Sequence, residues 1–279
     1  MEIRNGGKIA AWMFILAALS CFAACMGVFD NALYFDVYRA GTIPRALIWG
    51  AQAQDIVSIP FALLLAGSTL AFLKRRSLKF YILMLALDWY FFYAFGLYAM
   101  QGQYTSIYLV YLAIFGLSFY GLLFGVLSID RQAAARYRLP ERLQKAIGVF
   151  FLVMIGLLYP AWILRMLPDI AGHIPGSTYA VFVLDLSLVF PAIGMIAYLL
   201  LKRKPLGDVL AGVALFKIFA LCLSWAFAEI SNPFVGNEFT TETALISFLL
   251  TAGSLALLVP YFIKLKRDDD AAGRQRASR

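Results

Sequence analysis

Four charged side chains, Asp55, Asp88, Asp185 and Lys217, fall deep inside long apolar stretches of this chain. A charge in hydrocarbon is costly enough to mark its position as functional. One lysine cannot neutralise three aspartates. A core that holds all four needs carboxyl groups that carry a proton, or a bound cation that balances the remainder. Either outcome supplies a working part of proton- or cation-coupled transport.

Asp55 and Asp185 each precede a proline in their own apolar stretch, Pro60 and Pro191. A proline inside a helix frees the carbonyl four residues earlier, here that of Ile56 or Ser187. Each lies within two residues of its aspartate. A carboxylate beside a freed carbonyl is a way to hold an ion at depth in a broken membrane helix. Asp55 and Asp185 are therefore assigned as ion- or proton-binding residues; the plainer alternative is a kink with no ligand. Gln52 and Gln54 add polar atoms to the first of these helices, and Arg165, Glu229 and Glu242 gather at the ends of theirs. These five are assigned to an outward-facing polar vestibule. The sequence leaves any metal unspecified.

Asp88 follows Lys74 by 14 residues and Lys217 follows Lys202 by 15, so at ~1.5 Å per residue the two share a depth near the middle of the bilayer. An ion pair between them is predicted, linking the two halves of the molecule. A buried pair of this kind offsets its desolvation poorly, so the alternative is a structural clamp without a transport role. An aspartate on the third apolar segment and a lysine on the seventh also resembles the retinal proteins, on Asp88 and Lys217 alone. The resemblance implies a Schiff base at Lys217 with Asp88 as counter-ion. Eight segments, an internal duplication and no arginine near Asp88 depart from that pattern.

These side chains need helices to position them. With 62% hydrophobic and 14% charged residues in 279, the chain departs from soluble domains, which are about 45–50% apolar and about 25% charged. Stretches long enough to cross ~30 Å of hydrocarbon are read at 9–29, 46–72, 80–100, 106–127, 147–164, 178–201, 206–227 and 243–263. They lack the alternation of barrel strands, so the fold class is all-α, a polytopic membrane protein of about eight transmembrane helices. Ala40-Gly41-Thr42-Ile43-Pro44 recurs as Ala171-Gly172-His173-Ile174-Pro175. Each copy is followed by an aspartate, then by a proline sixteen residues after the first, then by a basic run, Lys74-Arg75-Arg76 or Lys202-Arg203-Lys204. Such internal repetition fixes architecture. Residues 1–128 and 146–265 are expected to be parallel four-helix repeats about an axis along the membrane normal. A basic linker is expected at 129–145 and a disordered cytoplasmic tail at 266–279.

The net charge of +8 is unevenly distributed: 20 of the 24 basic residues fall in one alternate set of gaps and only Arg39, Arg45 and Arg165 in the other. This positive-inside asymmetry implies a plasma (inner) membrane protein with both termini cytoplasmic. It explains the basicity without nucleic acid, leaving the lipid bilayer as the partner and a small solute or cation as the cargo. Cys21, Cys25 and Cys222 lie in apolar segments without a CxxC pair, which speaks against a disulfide or metal role. A signal-peptide reading of the first segment, ending at Phe22-Ala23-Ala24-Cys25, conflicts with the duplication, which needs that segment. Gly121 and Gly125 are expected to bring two helices together within the chain. Tyr104, Tyr108 and Tyr111 are expected in an aromatic belt.

Catalytic signatures such as a P-loop, GxSxG or HExxH are absent from the sequence, and no motif calls for a cofactor. The reading is a small-solute or cation transporter. The alternative is a non-transporting sensor or assembly protein whose intramembrane charges are structural, with a retinal-type chromophore at Lys217 as a remote third.

Overall fold

The computed structural model describes residues 3–30, 32–41 and 43–267. Among the described residues eight helices are long and apolar enough to cross a membrane. Helices α1 (Gly6–Phe29), α3 (Arg45–Arg75), α4 (Leu78–Met100) and α5 (Tyr108–Leu127) form the first half. Between the first two lies the short α2 (Ala32–Arg39). After α6 (Arg131–Ala135) come α7 (Glu141–Gly172), a span made of α8 (Tyr179–Leu184) and α9 (Phe190–Leu201), then α10 (Pro205–Ser231) and α11 (Thr241–Lys264). The expected spans match these helices to within about a turn except at α7, whose 32 residues extend further at both ends. At ~1.5 Å per residue it is about 48 Å long.

Helices α4 and α10 are central: 83% and 72% of their apolar windows are buried, against 22–50% for the other six spans. Each carries one of the four intramembrane charges. Helix α1 packs on α3 and α5, and α4 on α3 and α5. In the second half α7 packs on α9 and more sparsely on α11, and α10 packs on α9 and α11. The halves meet where α4 faces α10, flanked by α10 against α3 and α4 against α8.

Side chains of small size allow the closest approach. A Cβ at Gly125 would stand 2.3 Å from Leu85 and one at Gly121 only 2.6 Å from Asp88 Oδ2, so α4 and α5 touch through this GxxxG pair as expected. The tyrosine face divides. Tyr104 and Tyr108 pack on each other at 4.4 Å, but Tyr111 is fully buried beside Tyr98 and Phe95 and does not join a belt.

The sixth span contains a π turn, Asp185–Val189, in which the Phe190 amide donates to the Asp185 carbonyl. Asp185 precedes Pro191 by six residues, whereas Asp55 precedes Pro60 by five. A π turn closes on one residue more than an α turn, which matches the longer separation of Asp185 from its proline. Pro60, by contrast, lies inside the uninterrupted α3.

Several short elements went unread. Helix α2 buries Leu33, Tyr34 and Val37. The linker carries a two-residue strand, β1 (Tyr137–Arg138), paired antiparallel with β2 (Lys266–Arg267). The expected tail therefore begins in a strand at its first two residues, and 268–279 lie outside the described residues.

Candidate functional site

A cavity of about 780 Å³ opens at the end of the bundle where α3, α8 and α11 begin. Its mouth carries Arg165, Asp169 and residues of the 176–178 loop, and its lining runs inward to Asp185 and Lys217. Volumes of this size are typical of small-molecule sites. Between mouth and floor the walls are mainly aliphatic and aromatic, from α7, α8, α9 and α10.

Asp185 reaches the floor because the π turn sets it there, 7% exposed. Its Oδ2 accepts the indole N–H of Trp162 at 2.7 Å, and Tyr93 stands beside the same carboxyl. Lys217 comes from α10, 1% exposed. Its ammonium lies 4.1 Å from the Tyr93 ring centroid and 5.9 Å from that of Trp89, a cation–π arrangement on two faces. Asp185 is the carboxylate whose charge acts on Lys217, yet among the described residues the two are not in ion-pair contact. Both face the same cavity.

Asp55 has a different environment. It is fully buried on α3, with Oδ1 accepting from Tyr98 at 3.1 Å and Oδ2 accepting from Tyr34. Gly27 of α1 closes the pocket, since a Cβ there would be 1.8 Å from Oδ2. Burial, and then the Asp55 charge, hold the Tyr34 phenol well above its ordinary range, so it remains a donor. Asp55 is thus sealed by protein groups instead of lining the cavity, so the two aspartates assigned alike from the sequence stand in different surroundings.

The predicted Asp88–Lys217 pair does not form. Asp88 points toward α5, beside Gly121 and Ser118, and neither carboxyl oxygen has a hydrogen-bond partner among the described residues. Equal depth put the two residues at one level, but their side chains leave their helices in different directions. The counter-ion arrangement implied by the retinal-type resemblance is absent for the same reason.

Of the vestibule residues, Gln54, Arg165 and Glu229 line the cavity, while Gln52 and Glu242 do not. Gln54 donates to the Ala94 carbonyl at 3.0 Å. Glu229 accepts from Trp225 at 3.0 Å and from Asn232 at 3.3 Å. Glu242 stands outside but pairs with Arg165 at 3.3 Å, so it fastens α11 to the mouth. A polar chain from Ser58 through Tyr90 to Ser224, with steps of 2.8 and 3.1 Å, crosses from α3 to α10.

The sequence reading missed Tyr34, Tyr93, Tyr98 and Trp162, whose aromatic bodies look like ordinary apolar residues until the fold brings their polar edges to the charges. It also missed Asp208, buried near the opposite end of α10, where Gln144 donates to it at 2.6 Å and Arg138 approaches to 3.5 Å. Among the described residues no group of three His, Cys, Asp or Glu side chains comes together to hold a metal ion. Comparison with known protein families, curated proteins and solved structures finds no match for this chain.

Proposed function

We propose that this multi-pass membrane protein takes a small solute into the cavity of its second half, as a transporter with Asp185 and Lys217 at the floor of the binding site. The observation that carries the proposal is one continuous cavity running from exposed Arg165 to two buried, opposite, unpaired charges. Unpaired charges at the end of an apolar cavity are expensive to maintain, and a ligand or coupling ion is what repays their burial. The mouth is read as outward-facing because the basic runs lie at the other end, and both termini are read as cytoplasmic on the same charge asymmetry.

The reading includes two parallel four-helix repeats. Support comes from the matching neighbour order, α1–α3–α4–α5 and α7–α8/α9–α10–α11, from the reciprocal packing of α10 on α3 and α4 on α8, and from the π turn that matches the longer separation of Asp185 from Pro191. In this scheme the first copy has become scaffold. Tyr34, supplied by α2, fills the place beside Asp55, and the second half has no counterpart of α2 between α7 and α8. The dry packing of Asp55 and Asp88 favours a purely structural role for these two charges, so the coupling assignment narrows to Asp185.

The test is solvent access from the mouth. On a Cys-free background, Leu221→Cys in the cavity wall and Thr178→Cys at the rim are exposed to a small impermeant thiol reagent added outside. Labelling at both positions is expected, slower at Leu221→Cys. Labelling at the rim alone overturns the reading and leaves the sensor or assembly alternative.

A further inference from the structure

Two opposite charges at the floor of one cavity ordinarily collapse onto each other, because in a low-dielectric interior a contact pair is the cheapest way to keep both. Here the two stay out of ion-pair contact, with Trp162 on the carboxyl, Trp89 on the ammonium and Tyr93 beside both. The Trp162 indole anchors Asp185 at 2.7 Å from the α7 side, and the Tyr93 and Trp89 rings hold the Lys217 ammonium from the α4 side. Among the described residues Lys217 makes no hydrogen bond, although an ammonium offers three donors. Asp185 likewise keeps acceptor capacity beyond its indole bond. The floor therefore presents a separated negative and positive group, each part-satisfied, to the same space.

We infer that the ligand of this site is a zwitterion with an apolar body: an α-amino acid with an aliphatic or aromatic side chain, its ammonium on Asp185 and its carboxylate on Lys217. A ligand with only an amine would satisfy Asp185 and leave Lys217 unpaired; one with only an acid would do the reverse. A zwitterion completes both and adds no net charge to the interior. The remaining walls, with Leu158, Phe182, Ile193 and Leu221 among them, suit an apolar side chain, and the volume accommodates a large one. The inference rests on the cavity being the solute site, as proposed above.

The measurement is ligand-induced stabilisation of the purified full-length protein in detergent, using four probes: L-phenylalanine, phenethylamine, 3-phenylpropanoate and glycine. Binding to the folded state raises the transition temperature with ligand concentration. L-phenylalanine is expected to bind at least about tenfold more tightly than either half-molecule, since each lacks one charged hydrogen bond, and more tightly than glycine, which lacks the apolar body. Asp185→Asn and Lys217→Met are expected to erase this preference. Because those variants risk folding poorly, the comparison of the four probes on the parent protein decides by itself. If the amine or the acid binds as well as L-phenylalanine, the floor recognises a single charge and the inference is wrong. If none of the four binds, it is wrong as well, and the thiol accessibility of Leu221→Cys then tells whether the cavity reading survives without it.

Discussion

The Trp162 indole nitrogen stands 2.7 Å from Asp185 Oδ2, joining the middle of α7 to the π turn of the sixth span. This contact partly solvates a carboxyl group that is almost wholly buried, and it fixes the direction in which the remaining lone pairs face the cavity. Trp162→Phe keeps most of the edge-to-face contact with Phe182, 5.8 Å away, and removes the donor. Loss of a hydrogen bond to a buried carboxyl group is expected to cost about 1–3 kcal/mol, measured by denaturant titration in mixed micelles. A loss below about 0.5 kcal/mol would mean that the indole is a bystander.

The partner of Lys217 is open to a double-mutant cycle. Asp185→Asn and Lys217→Met are expected to be coupled by about 0.5–3 kcal/mol, because they share an environment, whereas Asp88→Asn and Lys217→Met should add within about 0.3–0.5 kcal/mol. Stability of the single and double variants supplies both numbers. Coupling of the second pair as strong as the first contradicts the arrangement of α4 described above.

Why depth was legible and direction was not follows from α4. Hydropathy gave its limits, and residue counting gave the level of Asp88. Its flanking positions, however, are apolar all round: Leu85, Ala86, Leu87 and Phe95 are all buried, on every side of the helix. A helix without a polar face gives no periodicity from which to read where one residue points. The useful hint lay on the neighbour, since Ser118 and Gly121 leave a small, partly polar notch that only a residue on the α5 side of α4 fills. The proline signal pointed equally to Asp55 and Asp185, and only the surrounding helices place Asp185 alone on the cavity. Tyr34 was not, because its role depends on a short helix folding back across α3, a non-local event whose only trace is the Leu33–Val37 spacing in α2.

Gly27 tests the sealed site around Asp55. A methyl group there would meet Asp55 Oδ2 at 1.8 Å and the Tyr34 hydroxyl at 2.8 Å. Gly27→Ala is expected to lose about 1–3 kcal/mol through overpacking. Gly67→Ala, with nothing within 4 Å of its added methyl, should gain up to about 1 kcal/mol from helix propensity. Neither change should alter thiol access at Leu221→Cys, because Asp55 does not line the cavity. A shift in that access on Gly27→Ala would show that the two aspartate sites communicate.

Membrane orientation needs a reporter on the linker. Ala134 is a poor choice, being 1% exposed, whereas Gln132 is exposed at the start of the same short helix. A cysteine replacing Gln132 on a Cys-free background should resist an impermeant reagent in intact cells and react after permeabilisation, while Ser177→Cys reacts in both. The reverse pattern would turn the molecule over and place the cavity mouth on the cytoplasmic side.

The π turn yields the sharpest test of the repeat. Asp185 and Pro191 are separated by one residue more than Asp55 and Pro60, and the turn Asp185–Val189 lies within that longer interval. If the sixth residue between Asp185 and Pro191 is slack, deleting Leu188, which is 39% exposed, gives that pair the five-residue separation of Asp55 and Pro60 in a plain α-helix and leaves Asp185 on the same face relative to Pro191. The deletion variant should fold, keep a transition temperature near the parent's and retain ligand-induced stabilisation. Deleting Ile59, between Asp55 and Pro60, has no such slack: it rotates everything before it by about 100° relative to the rest of α3 and turns the buried carboxyl away from Tyr34 and Tyr98. That variant should lose its cooperative transition. Equal damage from the two deletions would show that the π turn is required in its own right, and the equivalence of Asp55 with Asp185 would lose its structural basis.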